Sequence, residues 1–327
     1  MKVFRFTTYA LASIAAAPCV TWAFGALYFD FPKAGAFAAV GLLIAVLATT
    51  IFVRGKGLKL GIIFGACAIV LLWWLTLKPS NDRPWEPDVT QTARAEIDGD
   101  EVTVHNVRNC DYRTETDFTP HWETRTVRFS QITGIDVAIN YWGSPWIAHP
   151  IVSFQFGDAL PLCFSIETRK MIGQTYSALR GLYRQYTLIY VVADERDCIR
   201  LRTNYRREDV YLYHTLASPA QARGRFLEYI NSINVLRDHP RWYNAITHNC
   251  TTSIRTQRAV NQRAPWDWRI LLNGKADELL YQRHAIATGG LPFTELKRRS
   301  LINDRARAAD QDPDFSRAIR EGLPHGD

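Results

Sequence analysis

Cys250 has the surroundings in this sequence that point most directly to chemistry. It lies in RWYNAITHNCTTSIRTQ (241–257), with Thr247 and Asn249 just before it and Thr251, Thr252 and Ser253 just after. Short polar side chains in this order predict a helix start, because they satisfy the first, otherwise unpaired backbone N–H groups. A thiol at a helix N-terminus meets those amides and the positive end of the macrodipole. Both favour the thiolate, the form that attacks carbonyl carbon. A cysteine hydrolase or acyltransferase also needs an imidazole to move a proton, a polar group to orient that imidazole, and donors for the oxyanion.

Two strands carry the candidates for those roles. In HPIVSFQF (149–156), His149, Ile151, Ser153 and Gln155 share one face; in LCFSIETR (162–169), Cys163, Ser165, Glu167 and Arg169 share one face. The Gly157-Asp158 turn between them predicts an antiparallel pair that brings the His149 imidazole to the Glu167 carboxylate. His149 is thus the expected base and Glu167 its orienter. The Cys250 amide and Asn244, six residues upstream, are the expected oxyanion donors, an offset at which papain-like enzymes use a glutamine. Arg169, Asn249 and Tyr141 complete the expected substrate-positioning set.

Each assignment has a simpler alternative. Cys250 is equally a buried thiol or half of a disulfide with Cys110, Cys163 or Cys198, and His248 lies nearer in sequence than His149. Glu167 and Arg169 also read as a cross-strand salt bridge. A zinc site from His248, Cys250 and His149 has no familiar ligand spacing, so neither metal nor cofactor is expected.

These residues sit in the second part of the chain. Residues 6–29, 35–53 and 60–77 are apolar runs free of Lys, Arg, Asp and Glu, each about as long as a bilayer-spanning helix. A retained first helix suits this pattern better than a cleaved signal peptide, since two further spans follow it directly. Residues 1–77 hold six basic groups and one acid, so +5 of the net +7 lies there and only +2 in the rest, which removes the argument for nucleic-acid binding. Lys2 and Arg5 before the first span, and Arg54, Lys56 and Lys59 between the second and third, predict cytoplasmic segments and a C-terminal domain on the outside. Trp73, Trp74 and Lys78 suit an interfacial anchor, and the other arginines read first as a solvated surface.

The expected organisation is a membrane anchor (1–78), a short stiff proline-bearing linker (79–92), an α+β domain with an antiparallel sheet (93–300) and a partly ordered polar tail (301–327). Within the domain, 187–204 reads as two strands or a strand and a charged turn, and VYLYHTL from Val210 as a strand. Ser218-Pro219 opens a helix to about Arg237, and 266–283 is weakly helical.

The ordered set WGSPWIAHPIVSFQF, CFSIETRK, YSALRGLYRQYTLIYVVADERDCIRLRTNYR, VYLY and WYNAITHNCTT resembles the Lnb N-terminal periplasmic domain family over roughly 90–310. That family is similar to permuted papain-like proteins, the group of the NlpC-type cell-wall enzymes and lecithin:retinol acyltransferase, in which the histidine strand precedes the cysteine helix. The resemblance implies a His149–Cys250 dyad with Glu167 and Arg169 beside it. It also implies lipoprotein N-acylation, with a phospholipid or lipoprotein substrate in the bacterial inner membrane and room for a partner membrane subunit. Gln174 stands where an acidic residue is expected. A thiol amidase or peptidase acting on cell-wall peptides, and a non-catalytic membrane-tethered scaffold, are the alternatives.

Overall fold

The computed structural model describes residues 2–324, with side chains from Tyr9 onward. Lys2 and Arg5, whose charges set the expected orientation, and the last three residues of the expected tail lie outside those described side chains.

The three apolar runs form helices α1 (Lys2–Asp30), α2 (Gly35–Phe52) and α3 (Lys56–Thr76). Each contains a stretch long and apolar enough to cross a membrane, at Tyr9–Asp30, Gly35–Phe52 and Lys56–Thr76. They pack through mostly small side chains, Ala23 and Ala26 of α1 against Leu42 of α2 and Cys67 and Val70 of α3, as expected where lipid removes the hydrophobic drive and close approach decides packing. Ile14, Phe37 and Leu72 face outward and exposed.

This compact unit comprises Met1–Ser80, Thr175–Thr187 and Trp242–Ala245. Within it Asp30 accepts from Trp74 Nε1 and Gln185 Nε2, each at 2.7 Å, and from the Arg184 amide at 3.2 Å. The Arg184 guanidinium stacks 3.8 Å from the Trp74 ring centroid and donates to the Trp74 and Leu77 carbonyls at the end of α3. Trp74, expected as a lipid-interface anchor, is therefore held by Asp30 and Arg184.

The second unit comprises Asn81–Gln174, Leu188–Arg241 and Ile246–Asp327. Its strands are β1 (Arg94–Asp98), β2 (Glu101–Arg108), β3 (Asp111–Tyr112), β4 (Phe118–Thr119), β5 (Trp122–Arg128), β6 (Ile132–Tyr141), β7 (Ala148–Phe156), β8 (Leu162–Arg169), β9 (Thr187–Ala193) and β10 (Asp209–His214). Its helices are α4 (Glu195–Arg200), α5 (Pro219–Asp238), α6 (Cys250–Thr256), α7 (Ala276–Gln282), α8 (Phe293–Ser300), α9 (Asn303–Ala308) and α10 (Phe315–Ala318). The main sheet runs β1-β2-β9-β8-β7-β6-β10, with β5 also paired to β2. The α+β class expected from the sequence is the one observed.

Alternation along the strands makes two buried faces. On the first, Ile151, Cys163, Ile189, Val191, Val210 and Leu212 pack under Ile199 of α4, Ile302, Ala306 of α9 and Phe315 of α10. On the second, the Phe154 and Phe164 rings meet Phe226 and Tyr229 of α5 edge-to-face, at centroid distances of 5.0 to 5.9 Å. Further along that face, Ile139 and Tyr213 pack with Leu296 of α8 and Ile286. Ser218 caps α5 in a full capping box with Gln221, as the Ser-Pro signal predicts.

Four expectations differ from what is observed. The charged part of 187–204 is a helix, because Asp194 caps α4 and the turn 201–205 continues it. The expected linker is already part of the domain: Trp85 and Val89 are buried, and Arg169 lies 4.3 Å over the Trp85 ring. The expected tail is ordered through residue 324, since Ile302, Ala306, Phe315 and Ile319 close the first core. Arg320 is fixed there by Asp136 and Glu195, with bonds of 2.8, 2.8 and 2.5 Å. The weak helix expected over 266–283 becomes short 3-10 turns followed by α7.

Candidate functional site

Cys250 is the first residue of α6, as its polar neighbours predict. Asn249 Oδ1 accepts from the Thr252 amide and Thr252 Oγ1 accepts from the Asn249 amide, both at 2.9 Å, so two donors of the first turn are satisfied reciprocally. Asn249, expected to position substrate, thus has its side chain committed to capping. Cys250 Sγ receives Asn273 Nδ2 at 3.4 Å and lies 3.7 Å from Thr251 Oγ1. Burial pushes its thiol pKa up, against the downward pull of the Thr251 hydroxyl and amide, its own amide and Asn273.

Asn273 had no place among the residues singled out from the sequence. Its Oδ1 accepts the Ala148 amide at 2.9 Å, so one side chain joins the start of β7 to the sulfur. Tyr141 supports the same turn, with Oη 3.0 Å from both the Gly274 carbonyl and Asp277 Oδ2, and Lys297 Nζ 2.6 Å from that carboxylate. A Cβ at Gly274 would lie 2.4 to 2.6 Å from backbone atoms of Pro145, Trp146 and Ile147, so only glycine allows this approach. The Asn-Gly pair at 273–274 is the local signal for such a turn.

His149 and Glu167 do come together, through Ser165. His149 Nε2 lies 2.7 Å from Ser165 Oγ, which donates to Glu167 Oε1 at 2.6 Å; Nε2 and Oε1 are 4.0 Å apart. Ser165 has one hydroxyl hydrogen and gives it to Glu167, so Nε2–H is the donor to Ser165 and Nδ1 carries the lone pair. Arg202 Nη2 donates to Glu167 at 2.9 Å and Nη1 to Glu208 at 3.2 Å. Burial, then Arg202, presses the His149 pKa down to about 3, with Glu167 opposing. Burial works against the Glu167 charge, but Arg202 and Arg108 hold that carboxyl well below the usual range.

The expected dyad is not assembled. Strand β7 pairs with β6 in unbroken register from Gly134↔Gln155 to Tyr141↔Ala148, so His149 shares its face with Ile151 and Ser153, the face under α4, α9 and α10. Helix α6 covers the opposite face: Gln257, at its end, donates to Tyr190 Oη at 3.1 Å, and Tyr190 packs on Tyr229 of α5. His149 thus makes its hydrogen bonds on the face under α4, α9 and α10 while α6 ends against the other, and no hydrogen bond or ion pair joins His149 to Cys250 among the described residues.

The remaining expected residues have structural partners. Arg169 Nε donates to the Val89 carbonyl at 2.8 Å, Nη1 to Asn81 Oδ1 at 3.0 Å and Nη2 to the Thr90 carbonyl at 2.6 Å, which ties 81–90 to β8 instead of pairing with Glu167. Asn244 belongs to the first unit, where its Nδ2 donates to the Leu182 carbonyl at 3.2 Å. His248 Nδ1 lies 2.9 Å from Thr247 Oγ1. Gln174 Oε1 accepts the Met171 amide at 2.9 Å within its own turn. All six cysteines are free thiols, and no group of three His, Cys, Asp or Glu among the described residues is placed to hold a metal ion.

Three membrane-length helices followed by an α+β domain, with a cysteine at a capped helix start, define the class: a membrane-anchored protein with a sheet-based domain. Residues 118–274 match the model of the Lnb N-terminal periplasmic domain, which with the three apolar helices supports a membrane-anchored protein with a periplasmic domain. The matched segment contains His149, Glu167 and Cys250 and ends at Gly274, beside Asn273. No curated protein and no solved structure matches the chain.

Proposed function

We propose that this protein is a multi-pass inner-membrane thiol acyltransferase of the permuted papain-like type, acting on a phospholipid or lipoprotein ester through Cys250. The observation that carries this reading is the set of donors around Cys250 Sγ: its own amide, the Thr251 amide and hydroxyl, and Asn273 Nδ2. Such donors stabilise a thiolate, and equally the oxyanion that forms beside it. In the first step sulfur bonds to the ester carbonyl carbon, the ester C–O bond breaks, and the thiol proton ends on the departing alcohol. In the second step an amine attacks the thioester, the C–S bond breaks, and the amine proton returns to sulfur. His149 is hydrogen-bonded through Ser165 to Glu167 and not to Cys250, so these proton transfers are not assigned to it. A separate membrane subunit and a lipoprotein amine as acceptor belong to the same proposal.

The burial of Cys250 and the lack of a hydrogen bond between it and His149 among the described residues favour a second reading, a membrane-tethered domain without catalysis. Intact-mass measurement of the full chain incubated with a diacyl phospholipid separates the two. A single acyl adduct on wild type, absent from Cys250→Ser, supports acyl transfer; no adduct on wild type supports the second reading. Release of peptide products from cell-wall fragments would instead favour the amidase alternative.

A further inference from the structure

Two loops beside Asn273 expose more aromatic surface than a solvated domain needs. Trp142 and Trp146 lie on the loop between β6 and β7, Val260, Trp266, Trp268 and Leu272 on the stretch between α6 and α7, and all six are exposed, Val260 at 78 %. The two loops are tied side by side, since the Gly274 amide donates to the Trp146 carbonyl at 2.9 Å, and the Leu272 amide donates to the Trp268 carbonyl at 3.1 Å within the second of them. Four of the ten tryptophans of the chain are gathered here. Isolated exposed apolar residues are ordinary, but a contiguous patch marks a contact surface.

The charges around the patch select its occupant. Residues 255–275 hold Arg255, Arg258, Arg263, Arg269 and Lys275 against one acid, Asp267. Arg255 sits 5.7 Å from the Trp266 ring centroid, Arg269 5.9 Å from Trp268 and Lys275 Nζ 5.4 Å from Trp146, so cations and indoles are interleaved. Indole rings prefer the headgroup layer of a bilayer, and each nearby Lys or Arg adds attraction to anionic lipid. The chain itself supplies a bilayer, since three membrane-length helices precede the domain.

We propose that loops 142–147 and 260–272 are a second, non-spanning membrane contact that inserts its indoles at the headgroup level of an anionic bilayer. The inference rests on the membrane-anchored part of the proposed function and not on Cys250 chemistry, so absence of an acyl adduct leaves it standing. Such a contact would bring lipid next to Asn273 and the mouth of α6 without lipid having to leave the bilayer.

The test uses the full chain in nanodiscs of phosphatidylcholine and phosphatidylglycerol. A nitroxide is attached at Val260→Cys, and in a second sample at Asp304→Cys, whose side chain is 96 % exposed on α9; labelled wild type gives the background from native thiols. Relaxation by lipid-soluble oxygen relative to a water-soluble nickel chelate should be severalfold higher at 260 than at 304, and should fall at 260 when phosphatidylglycerol is omitted. Equal ratios at the two positions overturn the proposal. So does dipolar broadening between labels at 260, which identifies a second copy of the chain as the occupant. A ratio at 260 that ignores lipid charge overturns the role given to the arginines.

Discussion

If the sheet separates His149 from Cys250, His149→Gln leaves the ionisation of the Cys250 thiol where it was. The size of the alternative can be worked out. An imidazolium and a thiolate 4 Å apart at an effective dielectric near 20 attract by about 4 kcal/mol, which at 1.36 kcal/mol per unit corresponds to roughly three pKa units. In a paired dyad the thiol would therefore titrate far below an ordinary cysteine, and loss of the imidazole would return it upward by a large step. The structure instead has a sulfur whose burial outweighs its four donors, and whose pKa lies above the ordinary value. The assay is the rate of iodoacetamide modification at Cys250, read by peptide mass spectrometry in the folded full chain from pH 6 to pH 10. Glutamine keeps a donor for Ser165, so the substitution perturbs the buried cluster little. The expected result is a high midpoint shared by wild type and variant. A wild-type midpoint well below that of ordinary cysteine, rising by a unit or more in His149→Gln, would falsify the two-face arrangement.

Acid should destabilise the domain through the same cluster. His149 is neutral in the fold down to about pH 3 but protonates near 6.5 when unfolded, so the unfolded state binds more protons between those values. Stability is therefore lost as pH falls through that window, by about 1.4 kcal/mol per unit where the difference is a full proton. Glu167, held low by Arg202 and Arg108, loses its contribution in the same direction toward the acid end. Denaturant unfolding from pH 7 to pH 4 should show this fall, with a shallower slope in His149→Gln. Asp197 receives Arg108 Nε and Nη2 at 3.0 and 2.7 Å and the Cys110 amide at 2.7 Å, all buried. Asp197→Ala strands that guanidinium and should cost about 3–5 kcal/mol in thermal or denaturant unfolding. Asn273→Ala orphans the Ala148 amide, at about 1–3 kcal/mol, and removes a donor from Cys250, so its alkylation midpoint should rise further. Gly274→Ala pushes a methyl group into the backbone of 145–147 and should cost about 1–3 kcal/mol or more, with faster hydrogen exchange in that loop.

Much of this architecture is legible in the residues themselves. Charge-free apolar runs specify the three spans, Ser218-Pro219 specifies the start of α5, and the polar residues around Cys250 specify the start of α6. Period-two alternation in 149–156 and 162–169 puts His149 beside Glu167, which is correct. The same alternation cannot say which layer will cover which face: Arg202, Ile199 and Phe315 take the His149 face from distant parts of the chain. Asn273 was equally hidden, because its role comes from a turn pressed against Trp146 across more than a hundred residues of sequence. The closing segment escaped notice because Ile302, Ala306, Phe315 and Ile319 are spread over short helices whose other positions are charged, so no window looks apolar.

That segment has a consequence for biogenesis. Arg320 sits near the end of the chain yet neutralises Asp136 on a central strand and Glu195 at the start of α4. Until residues 302–320 are made and docked, Asp136 and Glu195 lack the guanidinium that bridges them, and the first core lacks the cover of Ile302, Ala306 and Phe315. Closure of the first core therefore waits for a segment far downstream of the strands it covers.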